Sequence, residues 1–333
     1  MVLKANSLFL SSPAIERQPI RKAEEIFLKT WLAEHEFDEN ARLFHYTNLD
    51  GLRGIISDRA LWFSHIRTLN DPLEIEYGIR ILADEINASI EDESGEDARA
   101  FLRKLLQNVK GITTKVHDVF VACFCQSGNL LSQWRTYADK GGGYCLGFQF
   151  SERTELAPAG GSHDQRKLIF LRRVIYCERT QRALVQKYLN SVIQAAKIVF
   201  RDELGSVSED DRAGVHAQIM AMQASNILLD MVFCFKHNAF EEELEWRLVR
   251  ATMTGHEPEG VKFRAAGPEL VPYRSMQLFD VEENDALDFP LRAINFGPSL
   301  DPERTRSGID LYMRHVAADR HPIAIQRDRV AVN

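Results

Sequence analysis

Residues 240–250, reading Phe-Glu-Glu-Glu-Leu-Glu-Trp-Arg-Leu-Val-Arg, constrain the fold more than any other stretch. Glu241, Glu242, Glu243 and Glu245 lead straight into Trp246, Leu248 and Val249. Glu243, Glu245 and Arg247 alternate with Leu244, Trp246 and Leu248, and a period of two belongs to a strand. The pattern therefore predicts a strand with one apolar face, and with Glu243 and Glu245 together on the other face at its mouth. Carboxylates that close repel, so at least one needs a cationic partner or a raised pKa. Such a pair suits a site that stabilises positive charge. Charges at a strand edge also serve to discourage pairing with another chain.

The composition leaves room for a large core: 333 residues, 45% hydrophobic and 27% charged. A formal net charge of -7 argues against a general nucleic-acid coat, though not against a local basic patch. The five cysteines are odd in number and most lie inside apolar runs, which predicts free, buried thiols in a reducing cytosol. Cys123-Phe124-Cys125 has no second pair at zinc-finger spacing. The first dozen residues are faintly signal-like, but Lys4 and Asn6 interrupt a short apolar run, so no signal peptide is expected. No stretch is long and apolar enough to predict a membrane span.

Along the chain, 18–34 reads as an amphipathic packing helix. Strands are expected at 43–47 and 60–64, with a short helix between them capped by Asn48 or Asp50. Asn70-Asp71-Pro72 reads as a turn opening a helix over 73–90, with Asp71 as cap and Pro72 in the first position. A second helix follows over 96–110, then a buried strand at 118–124 and a short helix at 130–138. Gly141-Gly142-Gly143 breaks that helix before a strand at 144–150. Residues 167–176 are strand-like, and 180–203 and 210–236 are long helical patterns. Strands near 261–264, 275–279 and 292–298, a helix at 301–315 and a strand at 323–326 close the chain. Without regular βαβ alternation the class is α+β. The expected organisation is a helical extension over 1–40 and one α+β domain over 41–333, with a helical insertion at about 180–236.

No phosphate-binding loop, dinucleotide fingerprint, zinc-protease helix or nucleophile elbow occurs. What remains is dispersed. His45 lies on an otherwise apolar strand, where a histidine is more often a core residue than a catalytic one. Trp134, Arg135 and Tyr137 sit beside the glycine break, as packing or as a stacking platform.

Several short motifs fall in a consistent order: Phe44-His45-Tyr46-Thr47; Leu61-Trp62-Phe63-Ser64 with Asn70-Asp71-Pro72-Leu73-Glu74; Gln133-Trp134-Arg135 with Tyr137; and Phe235-Lys236-His237 with Glu243, Glu245, Trp246, Arg247 and Leu248. Across about 43–297 they resemble a bacterial family catalogued only as a domain of unknown function. That family is in turn distantly similar to ADP-ribosyltransferases of the His-Tyr-Glu type, which include toxins. The resemblance implies an ADP-ribosyltransferase-like split β-sandwich, here with helical insertions, and NAD as substrate without a metal. It implies that His45 holds the adenosine-side ribose with Thr47 nearby, that Tyr137 stacks on nicotinamide, and that Ser64 and Arg135 complete the NAD-binding set. Glu245 is then the main catalytic carboxylate and Glu243 orients the acceptor, a protein or a nucleic acid. Tyr46 departs from the polymerase branch, which has Gly after the His, and this implies a narrower nicotinamide pocket.

The leading expectation is thus an NAD-dependent cytoplasmic transferase, a toxin or defence protein. The alternative is a catalytically silent module that binds a nucleotide or NAD derivative. A third reading gives His45, Asp71 and Glu74 to a metal-dependent nucleic-acid reaction. On the leading reading His45 and Tyr137 line one cleft with Glu245, while Asn70, Asp71 and Glu74 only stabilise the segment after the second strand. The basic run Arg166, Lys167, Arg172, Arg173, Arg179, Arg182 and Lys187 is either a solvated face or a phosphate-contacting patch.

Overall fold

Both edges of one strand, β3 (Asp118–Cys125), organise the sheet. In the computed structural model the described residues are 19–34, 38, 41–71, 73–111, 118–151, 154–158, 167–168, 171–204, 211–252, 260–266, 268–281, 287–316 and 323–328. The other strands are β1 (Leu43–Thr47), β2 (Ala60–His65), β4 (Tyr144–Phe148), β5 (Thr154–Pro158), β6 (Lys167–Leu168) and β7 (Leu171–Arg173). They continue as β8 (Glu245–Thr252), β9 (Val261–Ala266), β10 (Glu269–Val281), β11 (Leu287–Asp288), β12 (Leu291–Phe296) and β13 (Ala324–Arg327). The helices are α1 (Pro19–Glu34), α2 (Leu49–Asp58), α3 (Glu74–Asp92), α4 (Glu96–Lys110), α5 (Leu131–Thr136), α6 (Glu178–Leu204), α7 (Asp211–Val232) and α8 (Pro302–Val316). The protein is α+β.

The main path through the sheet is β13-β12-β4-β1-β3-β2-β10-β5-β6, with β8 and β7 branching from β3. β8 covers one edge of β3 along its whole length, from Asp118 opposite Thr252 to Cys125 opposite Glu245. β1 and β2 must therefore share the other edge. β1 pairs there at Phe44 with Cys125, and β2 at Ser64 with Val121 and His65 with Phe120. Between those contacts the two strands part, and the sheet is split at Cys123.

Alternation along β3 and β8 feeds two cores. Val119, Val121 and Val249 face a helical core that includes Phe27 and Trp31 of α1, Phe101 of α4, Tyr188 of α6 and Leu228 of α7. Phe120, Phe124, Trp246 and Leu248 face a second core under α2 and α8. The central strands are thus buried on both faces, which explains the unbroken apolar run of β3.

Close approach, not backbone freedom, dictates two glycines beside the split. A Cβ on Gly143 would lie 2.5 Å from the Thr47 carbonyl oxygen, and one on Gly297 would lie 2.0 Å from that of Gly141. Gly297 N–H donates to Gly143 O at 2.9 Å, so the glycine break is clamped against the end of β12.

Several local expectations need correction. The strand at the acidic stretch starts at Glu245, because 238–243 is a 3₁₀ turn. Helix α3 starts at Glu74 after the uncapped Leu73; Asp71 instead accepts the Leu73 N–H at 3.0 Å, closing the turn before it, and Pro72 lies outside the described residues. Of the two cap candidates for α2 the expected Asn48 serves, accepting the Gly51 N–H at 2.9 Å. The first dozen residues also lie outside the described residues. Among the described residues no helix is long and apolar enough to cross a membrane.

Helix α1 carries a testable burden. Glu24 is buried against Tyr188, whose hydroxyl lies 3.3 Å from it and 2.8 Å from Ala224 O. Burial pushes its carboxyl up to about 8, with the Asp230 charge adding to the shift. A raised carboxyl favours folding while protonated, so this contribution is present at low pH and is lost as pH climbs from the unfolded value through about 8. Glu24→Gln should therefore raise stability by ~2 kcal/mol at pH 7.5 and change little at pH 5. Urea titrations at the two pH values check this, and an equal effect at both would refute it.

Candidate functional site

The turn at Asn238–Glu243 ends with Leu244 in the left-handed region, φ 46° and ψ 48°. That kink takes Glu243 off the strand, so the two glutamates do not share a strand face as the alternation predicts. They meet instead at Lys236. Its Nζ donates to Glu245 Oε2 at 3.0 Å and to Glu243 Oε2. Lys236 is held by its backbone: its N–H donates to Ile175 O at 3.2 Å and its carbonyl accepts from Gln181 Nε2 at 3.0 Å.

Arg247, two residues along β8, is fully buried. Its Nε donates to Glu245 Oε1 at 2.7 Å and its Nη2 to Glu245 Oε2 at 2.8 Å. The same guanidinium grips Glu74 at the start of α3, with Nη2 3.0 Å from Oε2 and Nη1 on Oε1, and Nη1 donates to Phe233 O at 3.1 Å. Glu74 thus ties α3 to β8 through Arg247, a structural role that goes beyond the turn after β2. Arg135, which the resemblance assigns to the NAD-binding set, is exposed on α5.

The environment drives the two glutamates apart. Burial pushes the Glu245 carboxyl up, but Arg247 and Lys236 outweigh it and hold it at about 2. Glu243 is the less enclosed of the two, and burial leaves its carboxyl above the usual range despite Lys236. The expectation that crowded carboxylates need a cation or a raised pKa is met on both counts.

Tyr137 ends α5 and is partly exposed. Burial of its hydroxyl raises the phenol pKa, and the nearby Glu243 raises it further. Helix α5 is pinned there by Trp134, which is fully buried and stands edge-on to Tyr46 at 5.2 Å. The Tyr46 hydroxyl donates to Ser127 O at 3.0 Å and accepts the Leu130 N–H at 2.9 Å. Tyr46 therefore fastens the loop between β3 and α5.

His45 belongs elsewhere. Phe44 pairs with Cys125 and Cys125 with Glu245, so these three share a sheet face. His45 lies on the opposite face, across from Leu146 and 5.7 Å from the Phe124 ring. Burial lowers its imidazole pKa, and Arg264 lowers it further. Arg264 in turn donates to Ser64 Oγ at 3.1 Å and has a buried Nε without a hydrogen-bond partner. Arg250 is lowered by burial and by Arg274, whose guanidinium lies 5.7 Å from the Phe120 ring. Among the described residues neither Arg250 nor Arg264 pairs with a carboxylate. Thr47 sits at the end of β1 opposite Tyr144.

The predicted residues therefore form two groups, Tyr137 with Glu243 and Glu245, and His45 with Ser64. Cys123, at the split, joins them: its carbonyl lies 2.9 Å from His45 Nδ1, and its thiol helps hold the Glu245 carboxyl low. Among the described residues no cluster of three or more His, Cys, Asp or Glu side chains suits a metal ion. The basic run does not form one surface, because Arg172 is buried and Arg182 is bonded to Asp84, Glu85 and Glu178. Arg166 lies outside the described residues. The five thiols are free, with Cys125, Cys145 and Cys234 buried and Cys177 exposed.

Fold and site together define an α+β protein with a buried carboxylate–cation cluster at the mouth of a split sheet. Residues 133–248 match the model of a family described as "Protein of unknown function (DUF2971)". The matched segment covers about a third of the chain, from α5 to β8, and contains Tyr137, Lys236, Glu243, Glu245 and Arg247 but not His45, Ser64 or Glu74. Neither the curated proteins nor the solved structures gave a significant match.

Proposed function

We propose that this chain is an ADP-ribosyltransferase-like protein that binds NAD across the split at Cys123 and cleaves its nicotinamide–ribose bond. The observation that carries the reading is the geometry of the glutamate pair: Glu243 and Glu245 meet at Lys236 Nζ, and only Glu245 is also held by Arg247. Paired groups whose environments push their pKa values apart divide acid–base work between them. Glu245 supplies fixed negative charge where the ribose becomes cationic, and charge that matters only in the transition state accelerates the step. Glu243, with its raised pKa, accepts the proton from the acceptor nucleophile. Tyr137 offers a ring for stacking. The partly buried Arg264, beside His45 and Ser64, suits the pyrophosphate, since a guanidinium without a carboxylate partner gains from an anion.

Glu243 must be ionised to take a proton. Its pKa is raised, so activity should fall as pH drops through a value above that of an ordinary glutamate. Glu243→Gln should remove this acidic limb from the pH–rate profile. A limb that persists in the variant would assign it to another group.

The acceptor is read by incubating the protein with NAD labelled in its adenylate half and a cell lysate. Label should appear in one of the protein, DNA or RNA fractions and should be lost in Glu243→Gln. One observation favours a second reading, a nucleotide-binding module without turnover: both Glu245 oxygens are engaged by Arg247 and Lys236. In that case NAD binds and is recovered intact.

A further inference from the structure

A broad groove of about 1230 Å³ opens beside the loop that Tyr46 fastens. Gly128 and Asn129 of that loop line it, together with β1, β12, β13 and the start of α8. Three guanidiniums reach it, from Arg42, Arg306 and Arg327, against one carboxylate, Asp328. Arg42 and Arg306 are exposed. A groove with this excess of cations concentrates anions, and the fork of a guanidinium matches phosphate oxygens.

Two further side chains narrow the ligand class. Asn295 is 5% exposed, lines the groove, and has a buried Oδ1 with no hydrogen-bond partner. A buried acceptor left unmatched is costly, and a donor brought by a bound molecule would relieve it. Phe44 lines the same groove with a half-buried ring. Gly128 packs closely on one side of that ring, since a Cβ there would lie 2.7 Å from it. Phosphate-seeking guanidiniums, an acceptor needing an amino or hydroxyl donor, and an apolar ring describe one chemical class.

We infer that this groove is a second ligand site, and that it takes a nucleotide carrying two or more phosphates. Arg42, Arg306 and Arg327 hold the phosphates, Asn295 Oδ1 accepts from the base or sugar, and Phe44 packs on the base. The volume lies above the usual ~300–1,000 Å³ of small-molecule sites and leaves room for a whole nucleotide. The inference is separate from NAD cleavage at the glutamate pair and does not rest on it.

Calorimetry with ADP, inorganic pyrophosphate and adenosine tests it on the full chain. ADP should bind more tightly than either fragment, and more weakly as salt rises. Arg42→Gln combined with Arg306→Gln, both at exposed positions, should weaken ADP binding at least tenfold. Arg103→Gln, an exposed arginine on α4 paired with Glu96, should leave that binding unchanged. Phe44→Leu should weaken ADP but not pyrophosphate. Absence of ADP binding, or binding that survives the double variant, would overturn the assignment. So would pyrophosphate binding as tightly as ADP, which would mean a plain anion cradle. Loss of ADP binding in Arg264→Gln alone would place the nucleotide at the split instead, a result that speaks for the NAD reading and against this one.

Discussion

Arg247→Met should cost about 3–5 kcal/mol of stability, the loss expected when a buried ion pair is broken by removing one partner. The guanidinium is fully buried and touches both Glu74 and Glu245, which are themselves buried. Removing it leaves two carboxylates in a low-dielectric interior with Lys236 as the remaining cation, 3.9 Å from Glu74 and 3.0 Å from Glu245. Met fills most of the volume, so the loss reports charge rather than a cavity. Glu74→Gln added to Arg247→Met should recover part of it, because one of the stranded charges is gone. Equilibrium urea unfolding of the single and double variants measures both numbers. A loss below about 1 kcal/mol in the single variant would mean that the cluster is not a structural tie.

The network also makes stability pH-dependent in a defined direction. Glu245 is depressed to about 2, so its contribution is present above the unfolded glutamate value and is lost as pH falls through about 2. This runs opposite to Glu24, so acid should weaken the β8 end of the molecule while relieving α1.

Glu243→Gln should lower the rate of NAD cleavage and transfer by about 10²–10⁴, the usual contribution of a positioned proton acceptor. Its fold should be largely kept, because Lys236 retains Glu245 and Arg247 does not touch Glu243. Glu245→Gln should lower the rate by about 10²–10³ through lost transition-state charge, and should also lower the melting temperature. The contrast separates the two glutamates: one variant loses activity with its stability intact, the other loses both. Thermal melts run beside the rate measurements decide this, and equal destabilisation in the two variants would remove the proposed division of roles.

Local periodicity made much of the fold legible. The apolar run at 118–124 marks β3, and the stripes at 180–203 and 210–236 mark α6 and α7. Periodicity could not place the start of β8. The Glu243-to-Arg247 alternation extends the strand backward, and only the left-handed Leu244 ends it. Pairing between distant segments was also invisible. Nothing in the sequence joins Glu74 to Arg247, because a buried ion pair leaves no local period. Lys236 stood within a quoted motif, and its basic charge before an acidic stretch was the available signal. Cys123 looked like one more apolar residue, and its link to His45 runs through a backbone carbonyl that any residue would supply. The sheet split itself depends on which edge β1 and β2 share, and that is set by strand order rather than by strand pattern.

Nicotinamide released from NAD is the measurement closest to the central claim. Purified protein is incubated with NAD at pH 7.5, and the free base is separated and quantified beside Glu243→Gln and Glu245→Gln. The account predicts steady release by the wild-type chain, and release at least a hundredfold slower in each variant. NAD that binds the wild-type chain but is recovered whole, or release that is equal in all three proteins, would contradict it.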